Sequence, residues 1–431
     1  MKSNPDIYLL YEYTKKLSFT ARIKVVLDEP ADAELLALAA QEATRRFPYF
    51  AVSLGLDAKG NYTLLPNPRP MPVLPEQDRR LLLGSEETNG HLFAITWRGD
   101  TVYFNWTHSI CGAFGVLRWA KTTLYQYLTK RYGEIEAPAD LKHADTPVAK
   151  SELFVPDPDS LPGDAPIARY TGTNTMVAVG ETVKYFLNPF ARDSYYYQID
   201  IPKAAFMAYN TDIDASPNSV LAALMFKVCT RLYTPKNGRH IAARIVADFR
   251  NHIGCPDSYR DFVRLIHVKY DWAMKDEPIQ KLNMRARGAL ILQNQPELSW
   301  EAYRRRAKLH AAIDAKPCLA WKKIYALTHS PYIWDVIDTY TISYVGKTDW
   351  GGLAEHIRGV YTITDNSLML EVNALPDKFC ICFEMYPKKP DAFNTFCAVL
   401  DEEKLPYTVS KQMIRYLPDL HFPKRSRGKR L

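Results

Sequence analysis

Segments with a period of two residues and segments with a helical period follow one another along this chain without strict alternation. LSFTARIKVVL sets Phe19, Ala21, Ile23, Val25 and Leu27 on one side and Ser18, Thr20, Arg22 and Lys24 on the other, which predicts a half-buried strand. ADAELLALAAQEATRRF, capped near Asp32 and stopped by Pro48, predicts a helix. HLFAITWRGDTVYFNWTHSI predicts a hairpin turning at Arg98, Gly99 and Asp100. In GAFGVLRWAKTTLYQYLTKRY, the residues Val116, Leu117, Ala120, Leu124, Tyr127 and Leu128 mark one face of a helix. Farther on, SPNSVLAALMFKVCTRLY starts a helix with Ser216 as cap and Pro217 in its first turn. RIVADF reads as a strand and SWEAYRRRAKLHAAI as a helix. The strands YTISYVG, GVYTITD, SLMLEVNAL and KFCICFEMY then precede a last helix in DAFNTFCAVLDEEK. A doubly wound parallel sheet needs strands and helices in regular alternation, so this order predicts an α+β layered architecture instead.

A chain of 431 residues exceeds what one hydrophobic core ordinarily serves and suits two lobes. Residues 134 to about 190 hold many of the prolines, in APADL, TPVAK and VPDPDSLPGDAP, with little periodicity, and read as a crossover. The expected division is an N-terminal lobe over 1–170 and a C-terminal lobe over 190–431. No window nears the roughly 18 unbroken apolar residues of a membrane span, so none is expected. MKSNPDIYLLYEY lacks the pattern of a signal peptide, which places the protein in the cytoplasm. Seven scattered cysteines fit that reducing compartment and offer no paired metal spacing, so no metal is expected. Five of the basic residues crowd the last eight positions, and without them the net charge of +7 falls to +2. The basic tail, 423–431, is expected to be a solvated end, and no nucleic-acid partner is expected.

The chain contains no GxxxxGK[ST], GxGxxG, HExxH or GxSxG, which removes the main sequence support for nucleotide hydrolysis, dinucleotide binding, zinc proteolysis and nucleophile-elbow hydrolysis. The stretch with chemistry in it is NWTHSICGAFG, residues 105–115. Strand parity sends Val102, Phe104, Trp106 and His108 to one face. An imidazole among such apolar groups is desolvated, which suits a general base. Phe104 and Trp106 would border its substrate. Gly112, Ala113 and Gly115 then open a helix whose free N–H groups suit a developing oxyanion. A lone histidine on an apolar face is also a common core residue. Cys111 reads as a small buried side chain, and Cys380 and Cys382 share one strand face without making a metal site.

The order of these pieces resembles the chloramphenicol acetyltransferase-like acyltransferase superfamily, which includes condensation domains and alcohol acetyltransferases. Its hallmark HHxxxDG lies at a strand-to-helix junction, and the matching string here is THSICGA: His108 falls on the catalytic histidine, Thr107 replaces the first histidine, Gly112 the aspartate and Ala113 the glycine. RRFPYF (45–50), ADFRNHIG with Asp248 and Arg250, and ISYVG with Ser343 resemble further stretches of the family.

The resemblance implies two similar lobes around a central tunnel. It implies an enzyme that moves an acyl group from acyl-coenzyme A or a phosphopantetheinyl thioester to an alcohol or amine, with no permanently bound cofactor. His108 would act as base and Ser343, or the backbone at Gly112, as oxyanion donor, with Asp248 and Arg250 near the site. Partners implied are a small-molecule acceptor and, where the donor is carried, an acyl or peptidyl carrier protein. In relatives the aspartate of the motif usually pairs with an arginine and holds the loop. With Gly112 in its place, either another acid such as Asp248 substitutes, or the chain is an impaired relative that binds a carrier protein or an acyl ligand.

Overall fold

The computed structural model describes residues 5–15, 17–163, 195–233, 240–329, 339–364, 368–385 and 390–423. The basic tail from 424 and the later part of the proline-rich crossover, 164–190, lie outside the described residues.

Two mixed sheets, each with packed helices, form a two-lobed α+β fold. The first sheet uses β1 (Thr20–Leu27), β2 (Val73–Pro75), β3 (Phe93–Arg98) and β4 (Thr101–Thr107). The second holds β5 (Tyr195–Pro202), β6 (Ile241–Asp248), β7 (Val263–Tyr270) and β8 (Tyr340–Tyr344). The strands that follow in sequence are β9 (Ile357–Ile363), β10 (Met369–Ala374) and β11 (Lys378–Met385), and then two short strands, β12 (Thr408–Val409) and β13 (Met413–Ile414). The order of the five-stranded sheet is β9-β1-β4-β3-β2, with only β2 and β3 parallel. The eight-stranded sheet runs β7-β6-β8-β10-β11-β5 with β12 and β13 on β5, and β8 lies parallel to both its neighbours.

Alternation decides the first lobe. Ala21, Ile23, Val25 and Leu27 of β1 and Val102, Phe104 and Trp106 of β4 are buried against α1 (Ala33–Arg46) and α2 (Ala113–Tyr132). The Asp32 carboxylate caps α1, accepting from the Glu34 and Leu35 N–H groups at 3.0 Å. Large buried side chains such as Trp106 and Trp119 each contribute a few kcal/mol through apolar area removed from water, about 25 cal/mol per Å². The second lobe packs α3 (Pro217–Leu232) and α4 (Ile279–Gln293) on the face carrying Ile245, Ile266, Leu370 and Phe383. Ser216 caps α3 as its sequence predicts. Among the described residues no helix is long and apolar enough to cross a membrane.

Segments after residue 190 also return to the first lobe, among them Ile313, Ala326 and Trp350 in its core. Strand β9 pairs with β1 and completes the first sheet, and Leu417 and Leu420 return to the first core. The physical reason is an open edge on β1, whose unpaired N–H and C=O groups β9 covers. Polar contacts join the lobes beside apolar ones such as Tyr259 on Tyr49. Lys24 Nζ donates to Gln198 Oε1 at 3.0 Å, Tyr361 Oη to Asp200 at 2.6 Å, and Arg22 to the Tyr416 carbonyl at 3.0 Å.

Candidate functional site

Strand β4, held between β1 and β3, ends one residue before His108. Phe104 and Trp106 are fully buried, with Phe104 edge-on to Trp119 at 5.4 Å between centroids. They form the core behind the histidine and show no surface that a substrate could touch, which corrects their expected role at the site. Strand parity had placed them well, but the apolar face of β4 is covered by α1 and α2 and so is not open to a cleft.

His108 itself is partly exposed. Its backbone N–H donates to the Phe19 carbonyl at 2.7 Å. Phe19 has φ of 50°, a left-handed conformation costly for an aromatic residue, so local strain aims that carbonyl at residue 108. Thr107, where the motif has its first histidine, shares a hydrogen bond with Ser109 at 2.9 Å and donates to the same Phe19 carbonyl at 3.3 Å. The imidazole lies 5.5 Å from the Trp106 ring between centroids, and among the described residues neither ring nitrogen has a hydrogen-bond partner. The turn is held rigidly by its backbone while the ring is left available.

Gly112 is the N-cap of α2 and offers no side-chain cap. A Cβ on Gly112 would come 2.6 Å from Asp261 Oδ1, and one on Gly115 would come 2.2 Å from the Tyr259 carbonyl oxygen. The small residues therefore form a seat for the second-lobe loop 249–262. An anion developing over Gly112 would meet the Asp261 carboxylate, so the backbone there is poorly suited to hold an oxyanion. The loop grips α2 further through Phe114, whose ring lies between the Arg250 and Arg118 guanidinium groups, each 4.2 Å from its centroid. Tyr259 also stacks on Tyr49 at 4.0 Å.

Arg250 is buried and paired with Asp248, and it donates to the Ser258 and Arg260 carbonyls at 3.0 and 2.8 Å. Both residues thus shape the loop beside the histidine turn. Asp248 is engaged by Arg250 with its side chain 48% exposed, so the acid that meets Gly112 is Asp261 and not Asp248.

Asp261 and its neighbour Asp6 escaped sequence reasoning, because no motif or spacing ties either to residue 112. The Asp261 N–H donates to Asp6 Oδ2 at 2.9 Å. Burial, and the Asp261 carboxylate next to it, push the Asp6 carboxyl up to about 7. Burial and the same two acids raise the Cys111 thiol well above its usual value, which leaves Cys111 an inert buried group as its sequence suggests.

Ser343 lies on β8 opposite Glu371 of β10, and the two side chains are hydrogen bonded. Burial and the nearby Glu384 raise Glu371 well above the carboxylate range, while Arg415 donates to Glu384 at 2.9 Å. Gly112 opens the helix after the histidine turn, Arg250 packs on Phe114 of that helix, and Asp248 is held by Arg250. Ser343 belongs to the second sheet, and no hydrogen bond among the described residues joins it to His108.

No family model matches the sequence, and no curated protein matches it. Solved structures do resemble it. F. graminearum TRI101, crystallised with coenzyme A and deoxynivalenol, superposes with a TM-score of 0.61 at 10% identity, covering 94% of this chain and 98% of that one. The TRI3 trichothecene 15-O-acetyltransferase from Fusarium sporotrichioides gives 0.54 at 11% identity, over 93% of each chain. The first condensation domain of the CDA synthetase gives 0.54 at 11% identity, over 94% of each. The chain shares the fold of these proteins, as its resemblance to the condensation and acetyltransferase superfamily implies.

Proposed function

We propose that this protein is an acyltransferase in which His108 is the general base. The observation that carries this reading is the partly exposed imidazole at the strand-to-helix turn, fixed through its backbone and with both ring nitrogens unpartnered among the described residues. The shared fold supports it, since structures of that fold include one bound to coenzyme A and one named as an O-acetyltransferase.

His108 takes the proton of an acceptor hydroxyl or amine as that group attacks the thioester carbonyl. A tetrahedral oxyanion forms. It collapses with loss of the thiolate, which recovers the proton from the imidazolium. Ser343 is the proposed oxyanion donor on its family-like position, with its hydroxyl hydrogen serving the developing charge. The donor is acyl-coenzyme A or a phosphopantetheinyl thioester on an acyl or peptidyl carrier protein, and the acceptor is a small alcohol or amine. Seven free cysteines suit a cytoplasmic location.

The test is free-thiol release with a panel of acyl-coenzyme A donors and simple alcohols or amines, comparing wild type with His108→Ala. Turnover lost in the variant supports the assignment. Turnover indifferent to the substitution overturns it, and turnover absent with every donor favours the second reading, a binding module for which Gly112 in place of the motif aspartate is the supporting observation.

A further inference from the structure

We infer that Asp261 supplies, from the second lobe, the carboxylate that the histidine motif lacks at residue 112, and that it acts as a positioning residue for the His108 turn. The inference rests on His108 being the base.

Three observations carry it. First, Asp261 Oδ1 lies 2.6 Å from the place a Cβ on Gly112 would occupy, closer than two such atoms can approach, and its Cγ lies 3.1 Å away, so the carboxylate fills the space into which an acid at residue 112 would project. Second, Asp261 is held on both sides. Its N–H donates to Asp6 at 2.9 Å, and its carbonyl accepts from Arg306 Nη1 at 2.9 Å, while Arg306 Nη2 reaches the Val263 carbonyl at 2.8 Å. Third, Gly112 is the N-cap of a 20-residue helix and has no side-chain cap, and a carboxylate at such an end is stabilised by the unpaired N–H groups of the first turn.

Arg250, which packs on Phe114 beside the same turn, is paired with Asp248 instead. The loop therefore keeps an arginine and an acid next to the histidine turn, with the acid arriving through space. Because Asp261 and a side chain at 112 exclude one another, the two positions are expected to be exchangeable.

The experiment compares Asp261→Asn, Asp261→Gly, Gly112→Asp and the exchange variant Gly112→Asp/Asp261→Gly. It measures kcat and KM for thioester cleavage together with the thermal unfolding midpoint. Each single variant should lose about tenfold or more in kcat with KM changed less than about twofold, the sign of an interaction felt in the transition state. The exchange variant should recover most of that loss. Asp261→Asn, which preserves shape, keeps the test valid where Asp261→Gly folds poorly.

Wild-type kcat in Asp261→Asn, or an exchange variant no better than the poorer single variant, overturns the inference. Should the wild type turn over no donor, the proposed activity fails separately and the unfolding midpoints decide. A midpoint of the exchange variant above those of Gly112→Asp and Asp261→Gly then supports a shared carboxylate position, and additive losses overturn it.

Discussion

The carbonyl oxygen of Tyr259 stands 2.2 Å from where a Cβ on Gly115 would be placed. Both partners are backbone, so neither can swing aside as a flexible side chain would. Gly115→Ala is expected to lower stability by about 3 kcal/mol, the upper part of the usual range for overpacking. Denaturant unfolding checks this, and an unchanged midpoint would show that the loop 249–262 yields freely. Activity should fall with stability, because the same loop bears on the histidine turn.

His108→Ala should separate chemistry from folding. The ring makes no hydrogen bond among the described residues and touches the core through Trp106, so the unfolding midpoint should move by no more than a few degrees. Acyl transfer should drop by about 10²- to 10⁴-fold, the usual contribution of a positioned base. A large loss of stability would instead make His108 a packing residue.

Ser343→Ala should reduce kcat by about 10²-fold with little change in KM, as removal of an oxyanion donor does. A loss below about twofold, with only a small fall in the unfolding midpoint, would mean that its bond to Glu371 serves the sheet alone.

The pH dependence of stability has a definite sign at Asp6. Its folded-state pKa of about 7 lies above the ordinary 3.8, so the folded chain holds a proton that the unfolded chain has released. Stability from this group is fully present below about pH 4 and declines as pH rises toward 7. Asp6→Asn keeps an oxygen for the Asp261 N–H and removes the titration. The variant should be more stable than wild type at pH 8, with a flatter profile between pH 5 and 8 in thermal unfolding. A wild-type profile that does not fall relative to the variant would be the contrary result.

Much of the fold was legible in the sequence because periodicity is local. The cap at Asp32, the turn at Gly99 and the helix opened by Gly112 each follow from side-chain direction over a few residues, and each stands as expected. LSFTARIKVVL forms its strand, but not a half-buried one: Thr20, Arg22 and Lys24 are buried as well, because Glu76, Gln198 and the Tyr416 carbonyl cover that face. Less was legible where a residue's surroundings are set by distant chain. Phe104 and Trp106 have the parity expected of them, yet α1 and α2 bury that face and make them core.

The sequence by itself determined many of the elements, the two-lobed α+β arrangement and the strand-to-helix turn that carries His108, but not β5, β7 or α4. Tertiary structure decided which acid meets Gly112. Asp248 had a family-like position to recommend it, but its carboxylate is drawn to Arg250, and Asp261 reaches residue 112 from a loop whose course depends on the packing of Phe114, Tyr259 and Arg306. The reason is physical: periodicity and capping act over a turn or a strand, whereas the contacts of a buried carboxylate depend on which distant segments the two cores press together.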